Sequence, residues 1–415
     1  MSRAFFCFFL KLRCAIICEP KGNFLNLTSE TFMQNIDNEN GTLISLMQKV
    51  KDQSARKEDF IAPTSELAVK TEDGNTSIIL EASRGEPTRK LQANNVAFGQ
   101  LSDTVDIDVR TARRLQSDYP RHFDGLVNDI FQQEPKNRML RTFDTSLPFG
   151  SRTGELRAIV SEKFKTFDNE NLLEAALPQL MESDANWQVV SGTVTDQRLY
   201  LRLKSANQIA EPAVGDTMAN GILLSNSEVG KGSVNVSQLA WTLWCLNGCT
   251  TEKTSRHTHV TSARGSDIEM LLTNEAKDAD NKALELKLRD VVANYASPET
   301  FHAHIELMRQ AHDDVIENGL ANPQAVTEAL TGVLKLRKKD SPNLLAGLMA
   351  TIQQPGYQGK PISRATLVNA VTAVAGLEDS GQAVTPADEV DDWYKAGRAV
   401  LDLSPSQWST VKLAA

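Results

Sequence analysis

Aromatic residues make up only 6% of this 415-residue chain, and there are just five cysteines. So few cysteines in so long a chain exclude a disulfide scaffold and point to a reducing cytoplasm. No apolar run reaches the roughly 18–20 residues that span a bilayer, so no membrane partner is expected. Positive charge is also in deficit: the formal net charge is −9. That excludes a wholly basic nucleic-acid binder and leaves only a local basic face. Neither the G-x-S-x-G elbow nor the H-E-x-x-H zinc motif is present. Gly230-Lys231-Gly232-Ser233 imitates the end of a phosphate loop. A P-loop needs a hydroxyl directly after the lysine and a glycine five positions before the second one. Here Gly232 and Ser225 occupy those positions. An NTPase is thereby excluded, leaving either a plain turn between strands or a glycine loop that offers Lys231 to phosphate. The acidic pairs Asp106/Asp108 and Asp391/Asp392 read as helix starts or solvated faces. No catalytic constellation and no cofactor is expected.

What remains is ordinary globular material, 41% hydrophobic and 23% charged, long enough for two or three domains. Residues 1–23 are unusual, holding three of the five cysteines and four of the fifteen phenylalanines. Lys11 and Arg13 interrupt their apolar stretch and no small-residue cleavage site follows, so a signal peptide is not expected here. Residues 1–32 are expected to be a doubtful or disordered leader, with Met33 as the start. Residues 33–92 read as flexible with one or two ordered pieces, a helix near 43–50 and a strand near 77–82. Residues 93–265 are expected to form an α+β core domain, and 266–415 a helical C-terminal region. Helices, then strands, then helices give the fold class α+β, a mostly antiparallel central sheet with flanking helices.

Within that frame, Val109, Ala112, Leu115 and Tyr119 recur at helical spacing, and Pro120 separates them from a second helix over 123–131. The pair suits either a helix-turn-helix or a helical layer packed on a sheet. Strands are expected at 139–143 and 156–160, and a helix follows from Asp168-Asn169 to Leu180. Residues 187–194 and 197–204 form the clearest hairpin, with Leu199, Leu201 and Leu203 at period two. Ile222 to Leu224 suit a short buried strand. Residues 238–245, with Leu239, Trp241, Leu243 and Cys245, read as a helix stopped by Asn247-Gly248. A long charged helix is expected over 267–295. Ser297-Pro298 starts the next helix as N-cap and N1, and Asn322-Pro323 the one after. Further helices are expected at 363–377 and 385–401.

Candidate metal ligands are Cys245, Cys249, His257 and His259, the right types for zinc. Cys245 lies in an apolar segment, where a free cysteine acts as a small hydrophobe, so no metal is expected. His302, Glu306 and His312 read as surface residues. The basic residues are uneven. Between Arg110 and Lys165 there are eleven Lys or Arg against seven Asp or Glu, with Tyr119, Phe123, Phe143, Phe149 and Phe164 interleaved and Phe167 just beyond. Cations alternating with aromatics suit a single-stranded nucleic-acid groove, or equally a core of aromatics with a solvated basic rim. Lys335, Arg337, Lys338 and Lys339 form a second cluster at a helix end.

Several short motifs together resemble the phage/plasmid-like family of domain-of-unknown-function proteins found on bacteriophages, plasmids and other mobile elements. They are Ala97-Phe98-Gly99-Gln100-Leu101; Arg157-Ala158-Ile159-Val160-Ser161-Glu162-Lys163-Phe164; Phe167-Asp168-Asn169; Ser191-Gly192 with Arg198-Leu199; Val214-Gly215-Asp216; Gly221-Ile222 with Ser225-Asn226-Ser227-Glu228-Val229-Gly230; and Cys245-Leu246-Asn247-Gly248. The likeness covers roughly residues 90–335. It implies a mobile-element setting and, through it, nucleic-acid transactions such as strand annealing. The expected function is non-enzymatic binding of single-stranded nucleic acid in phage or plasmid DNA replication or recombination, by a homo-oligomer. Phosphate contacts are expected from Arg113, Arg114, Arg141, Arg157, Lys163, Lys165 and Lys231, and stacking from Phe164 or Tyr200. The alternative is a protein-interaction module acting on a host, phage or replication partner.

Overall fold

The computed structural model describes residues 42–81, 88–146, 152–242, 248–249, 254–257, 274–376, 378–379, 382–383, 385 and 389–414. The fold is α+β, with two main sheets rather than one. The first is built from β1 (Lys57–Pro63), β2 (Leu67–Glu72), β3 (Asn75–Leu80), β4 (Arg89–Ala93), β5 (Asn137–Ser146) and β6 (Arg152–Ser161). Its order is β1-β5-β6-β4-β3-β2, and every pairing is antiparallel except β4 with β6. Residues 42–81, expected to be flexible apart from a helix near 43–50 and a strand near 77–82, carry α1 (Thr42–Arg56) and three strands of this sheet, so that β1 and β2 are the additions. The β2–β3 turn is a two-residue hairpin with Asp73 and Gly74 at φ +49° and +77°, the conformation such turns need.

Three helices cover the first sheet: α2 (Asn95–Thr104), α3 (Val109–Asp118) and α4 (Pro120–Gln133). Asn94 and Asp108 cap the first two, each accepting a backbone N–H three residues on, and Pro120 opens the third at N1. Phe98, Leu101, Phe123, Val127 and Phe131 pack on Ile78, Leu91, Leu140 and Leu156. The helix pair α3–α4 is thus a layer on a sheet.

The second sheet is antiparallel: β7 (Trp187–Val194), β8 (Leu199–Ala213), β9 (Asp216–Asn226) and β10 (Val234–Thr242), with short β11 (Gly248–Cys249) and β12 (Thr254–His257) on the far edge of β10. The expected β7–β8 hairpin is present, with Val194 opposite Leu199 across a four-residue loop rather than a turn of Thr195-Asp196 alone, and with a bulge near Val190. Leu199, Leu201, Leu203, Ile222 and Leu224 join a core with α1, α5 (Asn169–Glu182) and α6 (Asn274–Tyr295). The opposite face carries Tyr200, Leu223, Leu239 and Trp241 against Tyr394. Residues 234–242 are strand, which corrects the helix expected over 238–245. Every residue of β10 is buried. A strand covered on both faces loses the polar/apolar alternation that marks strands in sequence. Residues 243–247 lie outside the described residues.

The C-terminal region is helical: α7 (Pro298–Asp313), α8 (Pro323–Val333), α9 (Ser341–Ile352), α10 (Arg364–Ala373), α11 (Val390–Leu401) and α12 (Pro405–Leu413), with a small β13–β14 ribbon (Glu378–Asp379, Gln382–Ala383) between α10 and α11. Ser297 caps α7 and Asn322 caps α8, with Pro298 and Pro323 at N1, as their spacing predicts. No helix among the described residues is long and apolar enough to cross a membrane.

Candidate functional site

The loop at residues 227–233, between β9 and β10, is held from three sides. Ser227 Oγ accepts from Lys231 N at 3.0 Å and donates to the Gln197 carbonyl at 2.8 Å. Gln100 on α2 donates its Nε2 to the Val229 carbonyl at 2.7 Å, while its Oε1 accepts from Ile159 N at 2.8 Å. Gly230 has φ +74°, a conformation that suits glycine. Gly232 lies so close to the Arg198 guanidinium that a Cβ there would collide with it. Lys231, between the two glycines, is exposed.

Beneath the loop, Glu228 enters a buried ionic cluster. Its carboxylate meets Lys57 Nζ at 2.5 Å and Arg157 Nη2, and accepts from Asn169 N at 2.7 Å. Its carbonyl accepts from Arg141 Nη1 at 2.6 Å. Arg141 also reaches Asp59 and Asp168, each at 2.8 Å, and Lys57 reaches Asp168 at 3.3 Å. Three cations thus face three carboxylates, which makes the cluster neutral. Its members come from β1, β5, β6, the N-cap of α5 and the loop after β9, so it ties the first sheet to the second. Burial by itself would raise the Asp168 carboxyl, but Arg141 and then Lys57 outweigh it and hold it at about 2. Burial and neighbouring Asp168 push Glu228 upward, yet Lys57, Arg157 and Arg141 leave it below the usual carboxylate range.

This geometry corrects several expected phosphate and stacking contacts. Arg141 and Arg157 are buried and bound to carboxylates, so they do not face solvent. Phe164 is buried, with the Arg141 guanidinium 5.9 Å from its ring centroid and its edge against Gly230. Tyr200 is 0% exposed. Neither ring offers a face to a base. Lys165 pairs with Asp280 of α6, and Lys163 is half-buried. Arg113 lies 3.9 Å over the Phe98 ring and donates to Asn95 and Gln116. Arg114 is exposed, 3.7 Å from Asp118. Of the nine residues, Arg114 and Lys231 remain as well-exposed cations, and they lie on different elements.

Other expected sites also changed. Asp391 is buried on the first turn of α11 facing Arg198 and Arg202, not solvated. His312 is no surface residue: its Nε2 lies 2.8 Å from Asp216 Oδ2, and its ring stacks on Tyr357. His302 and Glu306 are exposed, and Asp108 caps α3 as expected. Arg337, from the second basic cluster, pairs with Asp340 and Glu389. Cys245 and His259 lie outside the described residues, and Cys249 and His257 are described only as strand backbone. Among the described residues no group of three or more His, Cys, Asp or Glu is placed to hold a metal.

Lys57, Asp59, Arg198 and Arg202 carry this site but escaped sequence reasoning. One usable signal existed: Arg198, Tyr200 and Arg202 alternate with Leu199, Leu201 and Leu203, so they share the opposite face of β8. Compared with known proteins, the chain matches no family model, and no curated protein or solved structure is significantly similar to it.

Proposed function

We propose that this protein binds single-stranded nucleic acid without catalysis, in phage- or plasmid-type DNA replication or recombination, strand annealing included. The observation that carries this reading is the loop at residues 227–233: an exposed lysine on a backbone fixed by Ser227, Gln100 and the Glu228 cluster. A cation presented on a pre-ordered loop loses little conformational freedom when it meets a phosphate. Tyr119 adds a second element. It is 51% exposed at the α3–α4 junction, followed by exposed Arg121 and preceded by exposed Arg114. An exposed ring with cations nearby suits base stacking, the role that buried Phe164 and Tyr200 cannot take.

The test is fluorescence anisotropy of a labelled oligothymidylate at several salt concentrations. The Lys231→Ala protein is expected to bind more weakly and to lose about 0.7 from the slope of log affinity against log salt, the share of one single-strand phosphate contact. Tyr119→Ala is expected to weaken binding about tenfold, in line with the loss of one stacked base. Absence of wild-type binding at low salt, or unchanged affinity and slope in both variants, refutes the proposal.

A further inference from the structure

Behind the same loop lies a second cluster with an excess of positive charge. Tyr200 and Arg202 on β8, with Arg198 just before it, face α11. The side chains of Arg198 and Arg202 are 10% and 11% exposed, and that of Asp391 is 4% exposed. Asp391 lies 3.6 Å from Arg198 and 3.9 Å from Arg202, too far for good hydrogen bonds. Arg202 Nη1 donates to Ser191 Oγ at 3.2 Å. Arg198 Nε, Arg202 Nε and Arg202 Nη2 are buried with no hydrogen-bond partner. Among the described residues, two guanidiniums face one carboxylate, with the Tyr200 ring beside both and Tyr394 beside Arg202, which leaves one positive charge and three unmet donors in a nearly dry site. Buried cations in native structures are normally paired and their donors satisfied. A singly charged tetrahedral oxyanion would supply both the missing charge and the missing acceptors. Arginine's planar donor fork fits such a group well. The Gly232 backbone lies directly on the Arg198 guanidinium, with exposed Lys231 one residue away.

We infer that Arg198 and Arg202 form a phosphate site entered beside Gly232, with Lys231 at its mouth. The ligand class is a phosphate monoanion, either free phosphate or a phosphodiester of a nucleic-acid strand. The second source rests on the function proposed above.

The experiment is a thermal-shift and calorimetric titration of the full chain with sodium phosphate, against sodium chloride at matched ionic strength. Phosphate is expected to stabilise the wild type beyond chloride, and Arg198→Gln to weaken its binding about tenfold, the loss of a charge-assisted contact. If Arg198→Gln fails to fold by near-UV circular dichroism, Gly232→Ala reads the same site. Its added methyl displaces the Arg198 guanidinium without changing any charge, and phosphate binding should fall similarly. Phosphate no more stabilising than chloride, or wild-type phosphate affinity in the folded variants, overturns the inference. Displacement of bound oligothymidylate by phosphate identifies the strand as the source, and phosphate binding that leaves oligonucleotide affinity unchanged identifies free phosphate. Phosphate binding without any oligonucleotide binding upholds this site while refuting the nucleic-acid proposal. Oligonucleotide binding without a phosphate effect does the reverse.

Discussion

Replacing Glu228 with alanine is expected to destabilise the protein by about 3–5 kcal/mol, the usual result of removing one partner from a buried ion pair. The reason is desolvation rather than lost attraction. Lys57 and Arg157 would stay buried with one carboxylate fewer, and Asn169 N would lose its acceptor. Glu228→Gln keeps an oxygen for Asn169 but still leaves the cluster with one uncompensated positive charge. The cluster also sets an acid limit. Asp168 and Glu228 are held below their ordinary values, near 4 in an unfolded chain. Their contribution is therefore complete above about pH 4 and is lost as pH falls through the folded values, toward about 2 for Asp168. Urea midpoints measured between pH 6 and pH 2.5 should drop steeply at the acid end for the wild type and less steeply for Glu228→Gln. Equal slopes for the two proteins would show that the cluster is not the acid-sensitive element.

The second large effect is expected at Asp216, which opens β9 directly after the left-handed Gly215 (φ +84°). Its Oδ2 accepts from Tyr357 Oη at 2.7 Å and lies 2.8 Å from His312 Nε2, and Asn369 on α10 donates to the same tyrosine hydroxyl. One carboxylate therefore fastens the start of β9 to α7 and to the segment between α9 and α10. A close backbone approach makes the contact feasible: a Cβ on Gly356 would lie 2.8 Å from the Gly215 carbonyl oxygen. Asp216→Ala removes a buried oxygen that accepts from Tyr357 Oη and lies beside His312 Nε2, and it should cost about 3 kcal/mol in urea unfolding. Both contacts fall on Oδ2, so Asp216→Asn can keep an oxygen at that place and should cost clearly less. Equal losses for the two variants would mean that packing around the side chain, not its acceptor, carries the effect.

Much of the local architecture was legible in the chain. Ser297-Pro298 and Asn322-Pro323 opened helices where their capping chemistry predicts, and Leu199, Leu201 and Leu203 marked a strand through period two. These signals are local: a cap bonds three residues away and a hairpin pairs with its neighbour. β10 was misread because burial on both faces erased the alternation that a half-buried strand shows. The strand expected near 77–82 is β3, whereas β1 and β2 carry no clear alternation, being short, and β1 pairs with β5, far along the chain.

The candidate site was legible in only one respect, the glycine loop that presents Lys231. The excess of cations between Arg110 and Lys165 was real as a count, but a count does not say where a charge ends up. Arg141 and Arg157 were spent internally, on carboxylates brought from other parts of the chain; Lys57 meets Glu228 across 171 positions. Sequence by itself determined the α+β class, the capped helix starts such as those of α3, α5, α7, α8 and α10, and the β7–β8 hairpin, because capping and side-chain periodicity act within a few residues. Tertiary structure alone decided which arginines are neutralised in the core, which aromatic rings are sealed and which lysine stays in water. Pairing and burial depend on the distance between residues in space, and neither spacing nor composition encodes that distance.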